Sequence, residues 1–183
     1  MDALREPRLE TERLLLRPPT LADAAVITRL ANDKEVADGV LSIPHPYTQE
    51  DAEAFITRAQ ESLINGDGYV FAIIRKADQT FLGCMGIHPQ YEHKQAEIGY
   101  WFGRAYWGQG YATETGKRIV QFGFEALDLN RIHARHFTRN PASGRVMQKM
   151  GMRYEGTLRQ EILKNGEFLD TACYSILRSE YTP

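Results

Sequence analysis

Apolar and polar positions change period along the chain, and the changes separate strands from helices. Residues 9–17 (Leu-Glu-Thr-Glu-Arg-Leu-Leu-Leu-Arg) read as one strand closed by Pro18-Pro19. Thr20 stands where it can cap a short helix whose apolar positions Ala24, Ile27, Leu30 and Ala31 keep a three- and four-residue spacing. A loop from Gly39 to Pro46 follows. Thr48 opens a second helix with Ala52, Phe55, Ile56, Ala59 and Leu63 on one face, ended by Asn65-Gly66-Asp67-Gly68. Tyr69–Arg75, Phe81–Ile87 and Ala96–Phe102 are short strands joined by brief polar segments, which predicts an antiparallel meander. A helix from about Gly110 to Leu127 carries Ala112, Gly116, Ile119 and Gly123 as a stripe able to lie close on a sheet. Arg131–Thr138 reads as another strand. Pro141 suits the first turn of a helix running to Met150, with Gly151 as its C-cap. The chain closes on a hairpin: a strand near Met152–Lys164, the turn Asn165-Gly166 and a strand from Phe168 to Leu177. The order β-α-α-β-β-β-α-β-α-β-β describes an α/β (α+β) domain with a mixed sheet.

Composition narrows the class. At 183 residues, with no repeat or linker-like stretch, a single domain over 1–183 is expected. The 43% hydrophobic and 25% charged fractions exclude disordered and low-complexity classes. No apolar run approaches the ~18 residues that span a bilayer, so no membrane partner is expected. The start, Met1-Asp2-Ala3-Leu4-Arg5-Glu6, has no apolar segment of the kind a secretory signal carries. Cys84 and Cys173 lie far apart, each in an apolar stretch, as suits buried thiols in a reducing cytoplasm. A balance of 22 basic against 24 acidic residues argues against a general polyanion binder.

Candidate chemistry gathers in Trp107-Gly108-Gln109-Gly110-Tyr111-Ala112-Thr113, between a strand and a long helix. The first turn of a helix has amides without partners and a positive dipole end. Glycines there let a bulky anion approach the backbone, which makes a phosphate cradle, although a plain tight turn accounts for the same spacing. The P-loop pattern Gly-x-x-x-x-Gly-Lys-Ser/Thr and the dinucleotide fingerprint are both absent. From Leu129 to Tyr154 six basic residues (Arg131, Arg135, Arg139, Arg145, Lys149, Arg153) occur with no acid, either as a local positive field for phosphates or as a solvated face.

At these residues the sequence resembles the GCN5-related N-acetyltransferase (GNAT) superfamily, whose loop reads Gln/Arg-x-x-Gly-x-Gly/Ala; Gly110 and Ala112 fill the last two positions and Trp107 departs at the first. Trp-Gly-Gln-Gly-Tyr-Ala looks like the variant of the RimJ/RimL-type ribosomal-protein N-terminal acetyltransferases. Glu-Thr-Glu-Arg-Leu-Leu-Leu-Arg (10–17), Ala-Glu-Ile-Gly-Tyr-Trp (96–101), and Asn140-Pro-Ala-Ser143 before Lys-Met-Gly-Met (149–152) match it too, so the resemblance covers roughly residues 9–180. It implies a mostly antiparallel sheet of about seven strands and four helices, with Ala96–Phe102 and Arg131–Thr138 as a splayed parallel pair. It also implies acetyl-CoA as cosubstrate. Gly108 and the amides of Gln109, Gly110, Tyr111, Ala112 and Thr113 would hold the pyrophosphate. The strand edge at Trp101, Phe102 and Gly103 would pair with the pantetheine arm, and Asn140 would border the cleft.

Transfer to an amine needs a neutral nucleophile, a stabilised oxyanion and a protonated thiolate. Alternation puts Glu97 on the face shared by Gly99 and Trp101, a candidate base or a carboxylate in a structural ion pair. A local bulge would upset that alternation. The tyrosine that many relatives carry seven residues past the asparagine falls here on Met147, and the resemblance to the RimL-like branch implies Ser143 as the substitute donor to sulfur. Its other reading is a helix-terminus hydrogen bond. The oxyanion would take a backbone N–H from residues 100–103. His133 and His136 point to opposite strand faces, which speaks against a shared metal site, and no metal is expected. Arg13 and Arg17 could reach the acceptor groove or serve as salt-bridge residues. Asp33, Glu35, Asp38, Glu50, Asp51 and Glu53, in the acceptor-shaping region 31–68, would favour a cationic acceptor or simply complement helix dipoles. The reading is a cytoplasmic N-acetyltransferase acting on a protein N-terminal α-amine or a small amine, with no direct nucleic-acid partner and a homodimer allowed by family habit. The rivals are a non-catalytic acyl-CoA-binding or sensory domain and an RNA- or ribosome-associated module using residues 131–153.

Overall fold

The computed structural model describes Leu4 and residues 6–182; Met1, Asp2, Ala3 and Arg5 of the opening stretch lie outside the described residues. The first strand divides in two, β1 (Leu9–Glu10) and β2 (Leu14–Arg17). The polar residues between them favour a turn, in which the Thr11 amide donates to the Leu14 carbonyl and the Leu14 amide to Thr11 Oγ1, each at 3.0 Å. A 3-10 turn, Leu21–Asp23, leads into α1 (Ala24–Ala31) behind a Thr20–Asp23 capping box. Asp23 is buried, but the Arg17 fork meets both its oxygens at 2.8 Å. Burial works to raise its pKa; Arg17 and the Thr20 donors outweigh burial and hold it below the usual value. Helix α2 (Lys34–Gly39), capped by Asp33, was not expected, because six residues are too short to show a period. Helix α3 (Gln49–Asn65) begins at the Thr48 box and stops at Gly66, whose φ of 77° is left-handed.

Strands β3 (Tyr69–Arg75), β4 (Thr80–Gln90) and β5 (Gln95–Phe102) form the expected meander. Helix α4 (Tyr111–Glu125), β6 (Arg131–Phe137) and α5 (Pro141–Lys149) follow, and then β7 (Arg153–Lys164) and β8 (Glu167–Leu177). Asn165 and Gly166, at φ 52° and 82°, join the last two strands as a type I′ turn would. Among the described residues the sheet has eight strands in the order β1-β2-β3-β4-β5-β6-β8-β7, so the hairpin's second strand, not its first, lies against β6. All pairs are antiparallel except β5 with β6.

That parallel pair is short. Only Gln95, Ala96 and Glu97 pair with Arg131, Ile132 and His133, and the strands then part. Helices α4 and α5 cover one face through a core that includes Ile87, Ile98, Ile119, Ile132 and Met147. Helices α1–α3 cover Ala72, Ile74, Phe81 and Cys84 on the other face, in a cluster that includes no residue of β6, β7 or β8 among the described residues. Beyond β5 that second face carries the charged side chains Glu97, Arg135 and Glu161 together with buried Phe137 and Thr171, and Lys164 of β7 reaches across to the Ala37 and Val40 carbonyls at the end of α2.

The small-residue stripe of α4 behaves as its spacing implied. A Cβ at Gly123 would lie 2.7 Å from Ile132 Cδ1 and 2.8 Å from Ile87 Cδ1, and one at Gly116 would lie 2.5 Å from Met150 Sδ. Gly123→Val is expected to cost about 1–3 kcal/mol by overpacking. Denaturant melts check this, and an unchanged midpoint would contradict so close a seat for α4.

Candidate active site

The candidate loop begins where β5 ends. The Gly103 amide donates to the Leu82 carbonyl at 2.9 Å, and a 3-10 turn, Arg104–Tyr106, leads to Trp107. The Trp107 indole N–H donates to the Phe102 carbonyl at 2.7 Å while its ring stays 46% exposed, so it ties the loop to the strand end. Gly108 and Gly110 adopt φ of 73° and 83°, values that L side chains tolerate poorly, and Gly110 is the N-cap of α4. The Trp107 amide bonds Arg104; the next amide along the chain with a protein acceptor is that of Glu114, to Gly110 at 3.0 Å, among the described residues. The amides of Gln109, Gly110, Tyr111, Ala112 and Thr113 are thus free at the positive end of a 15-residue helix, a donor set that fits an oxyanion such as a diphosphate. They border a cleft of about 600 Å³ lined by Glu12, Arg13, Gly110, Thr113, Glu114, Lys117 and Lys149.

The loop follows directly on β5, the strand that parts from β6. Because Gly103 bonds β4, antiparallel alternation turns the backbone of Trp101 toward β4 as well. The groups facing the split therefore belong to Tyr100 and Phe102, with the Phe102 carbonyl already engaged by Trp107. This shifts the expected strand edge of Trp101, Phe102 and Gly103 by one residue. The Trp101 side chain instead packs beside Phe81, ring centroids 6.4 Å apart.

Across the split, Asn140 is the N-cap of α5; its Oδ1 accepts from the Ser143 amide at 3.4 Å, and its Nδ2 donates to the Gly39 carbonyl at 3.5 Å. Ser143 Oγ lies 2.6 Å from the Tyr100 hydroxyl, which also reaches the Ser143 carbonyl at 3.2 Å. Burial pushes the Tyr100 phenol up to about 12, against a smaller opposing pull from Ser143, so it stays a proton donor at neutral pH. Sequence reasoning missed Tyr100. Alternation showed its face, and only the placement of α5 reveals its partner.

Glu97 sits on the second face, 40% exposed, with Arg135 Nε at 3.1 Å; Arg135 also pairs with Glu161. The β5 ladder runs without a bulge from Gly83–Phe102 to Gln90–Gln95, so the alternation holds, and a Cβ on Gly99 would meet nothing within 4 Å. His88 and His133 stand opposite Glu97 on β4 and β6. Burial pulls both imidazoles below their usual value against the opposing influence of Glu97. His136 takes the helix-covered face, buried with its Nδ1 2.8 Å from the Phe137 carbonyl.

Two other expectations change. Most of the basic run 131–153 is neutralised rather than presented to phosphate: Arg131 pairs with Glu155, Arg135 with Glu97 and Glu161, Arg139 with Glu167, and Arg153 with Glu180. Only Lys149 of that run lines the loop cleft, where Arg13 and Lys117 join it. Of the acids in region 31–68, Asp33 and Glu35 pair with Arg104 and Asp38 with Lys34, while Asp51 takes part in the Thr48 cap and Glu50 and Glu53 are exposed on α3. Burial pushes the Cys84 thiol far up and leaves it no nucleophile. No three His, Cys, Asp or Glu residues converge as a metal site among the described residues, and no described helix is long and apolar enough to cross a membrane.

Residues 13–153 match the acetyltransferase (GNAT) domain model. The chain belongs to the GNAT acetyltransferase family. YoaA of Bacillus subtilis (strain 168), an uncharacterized N-acetyltransferase, is 36% identical over 94% of this chain and 97% of its own. A GNAT-family acetyltransferase structure from Bacillus anthracis superimposes with a TM-score of 0.84 at 28% identity, covering 94% of this chain and 99% of that one. RimL, a ribosomal L7/L12 α-N-protein acetyltransferase solved with coenzyme A, shares the fold with a TM-score of 0.84 at 19% identity over 91% of this chain and 95% of that one. The protein is thus an N-acetyltransferase, of a family that uses acetyl-CoA. In this GNAT domain, Trp107→Phe removes the indole N–H from the Phe102 carbonyl and is expected to lower stability by about 1 kcal/mol. Denaturant melts read the loss, and an unchanged unfolding free energy would contradict the tie.

Proposed function

We propose that the chain, as one catalytic domain over residues 1–183, binds acetyl-CoA at the Gly108–Thr113 loop. The acetyl group goes to a primary amine arriving from the sheet face that carries Glu97. One observation carries this reading: the free amides of the α4 N-terminus follow directly on β5, the strand that parts from β6 just beyond the half-exposed Glu97. Acetyl-CoA supplies the activated thioester; everything else is positioning and proton management by this chain. The Tyr100 and Phe102 amides are the backbone donors that face the split and can stabilise a developing oxyanion. The amine nitrogen forms a bond to the carbonyl carbon as the carbon–sulfur bond breaks. Glu97, released from Arg135 or acting through water, takes the ammonium proton before attack; the second proton that the nitrogen sheds on becoming an amide passes to water, while Ser143, backed by the Tyr100 hydroxyl, gives a proton to the leaving sulfur and is reprotonated from water. Similarity to RimL makes a protein N-terminal α-amine the first acceptor to test. Such an amine, with a pKa near ~8, needs far less help than a lysine near ~10.4.

Two substitutions test the arrangement. Glu97→Gln is expected to lower kcat/KM about tenfold or more at neutral pH and much less above pH ~9, where the α-amine is already neutral. A thiol-release assay across pH reads the ratio, and a ratio independent of pH removes Glu97 as the base. Gly110→Val puts a side chain at φ 83° and toward Arg13 Nη2, 3.4 Å from the added Cβ. Calorimetry with CoA is expected to show affinity weakened about tenfold or more. Unchanged affinity would reject this placement of the cofactor.

A further inference from the structure

Arg13 lies in the turn between β1 and β2 and forms part of the loop cleft's wall. Its Nη1 donates to the Gln109 carbonyl at 3.2 Å, its Nη2 lies 3.4 Å from where a Gly110 Cβ would be, and its guanidinium carbon stands 4.5 Å over the Tyr111 ring. One side chain from a distant part of the chain thus rests on three successive loop residues. Glu114 aims it: Arg13 Nε meets Glu114 Oε2 at 2.6 Å, while the Arg13 amide and the Thr11 hydroxyl hold Oε1 at 3.0 and 2.5 Å. Arginine has five N–H donors. With Nε and one Nη1 hydrogen engaged, the rest of the fork stays free among the described residues, and the side chain is 44% exposed.

Charge sharpens the point. The loop Trp107–Thr113 contains no cation of its own, and the next residue, Glu114, is a carboxylate in the first turn of α4. Burial works to raise the Glu114 pKa, but the bonds from Thr11 and Arg13 win and keep the group ionised. An anion bound at this helix end would meet a like charge unless a cation stood between them.

We propose that Arg13 is the cation that grips the cofactor's diphosphate at the α4 N-terminus, with Glu114 as the positioning residue that aims its fork. The proposal rests on the acetyl-CoA reading above and adds a ligand-contacting residue from outside the loop. A planar fork holds two phosphate oxygens in one fixed geometry, where a lysine offers a point charge on a flexible stem.

Calorimetry of the full chain with CoA tests it, using wild type, Arg13→Ala, Arg13→Lys, Glu114→Gln and the Arg13→Ala/Glu114→Gln pair. Arg13→Ala is expected to weaken CoA about ten- to a hundredfold and to flatten the dependence of affinity on salt. Arg13→Lys recovers only part of the loss, KM for acetyl-CoA rises more than kcat falls, and the double variant stays about tenfold weaker than Glu114→Gln alone. Wild-type affinity in the double variant would mean that Arg13 only neutralises Glu114, and would overturn the proposal. So would wild-type affinity and salt dependence in Arg13→Ala, or in Arg13→Lys should the alanine variant fail to fold. Folded wild type that takes up no CoA would reject the cofactor reading itself, a different result from binding that ignores Arg13.

Discussion

The parting of β5 and β6 after Glu97 and His133 is the constraint on which the site depends. A parallel pair that continued would consume the backbone groups of Tyr100 and Phe102 in a ladder and close the sheet. Instead both strands are held from their outer sides, β5 by β4 along its whole length and β6 by β8 from Arg131 to Phe137. Each can therefore leave the other without losing its place in the sheet. The split lies between a face covered by α4 and α5 and a face on which Glu97 stands 40% exposed.

Electrostatics follows the same division. The segment after β5 holds donors without acceptors, a state that persists only where solvent or a ligand can satisfy them. Around β6 the pattern differs: Arg131, Arg135, Arg139 and Arg153 lie against the acids of β7, β8 and the C-terminal turn. The positive field around the loop then comes from Arg13, Lys117 and Lys149, which belong to three different elements. A run of basic residues in sequence and a basic site in space are different things, because neighbours along a strand point to opposite faces and meet different partners.

Much of the architecture was legible because short-range rules decide it. The Thr48 cap, the Gly66 stop, the meander strands and the Asn165-Gly166 turn each lie within a few residues of what specifies them. The Gly-rich loop was legible for the same reason, since two glycines ahead of a helix state a local backbone need. Where context had to come from afar, the reading fell short. Helix α2 was too brief to show a period, the strand over 9–17 concealed a turn, and no local rule places β8 rather than β7 beside β6.

Sequence alone thus determined most of the elements, the glycine-rich loop at the start of a helix and the face on which Glu97 lies, since each follows from dihedral preference or strand alternation. Tertiary structure decided what those groups touch. It brought Tyr100 to Ser143 across 43 residues, set Glu97 against Arg135 and laid Arg13 over a loop 96 residues away. Such contacts arise from the way whole elements stack, and periodicity within an element carries no information about the neighbour on the other side of a gap.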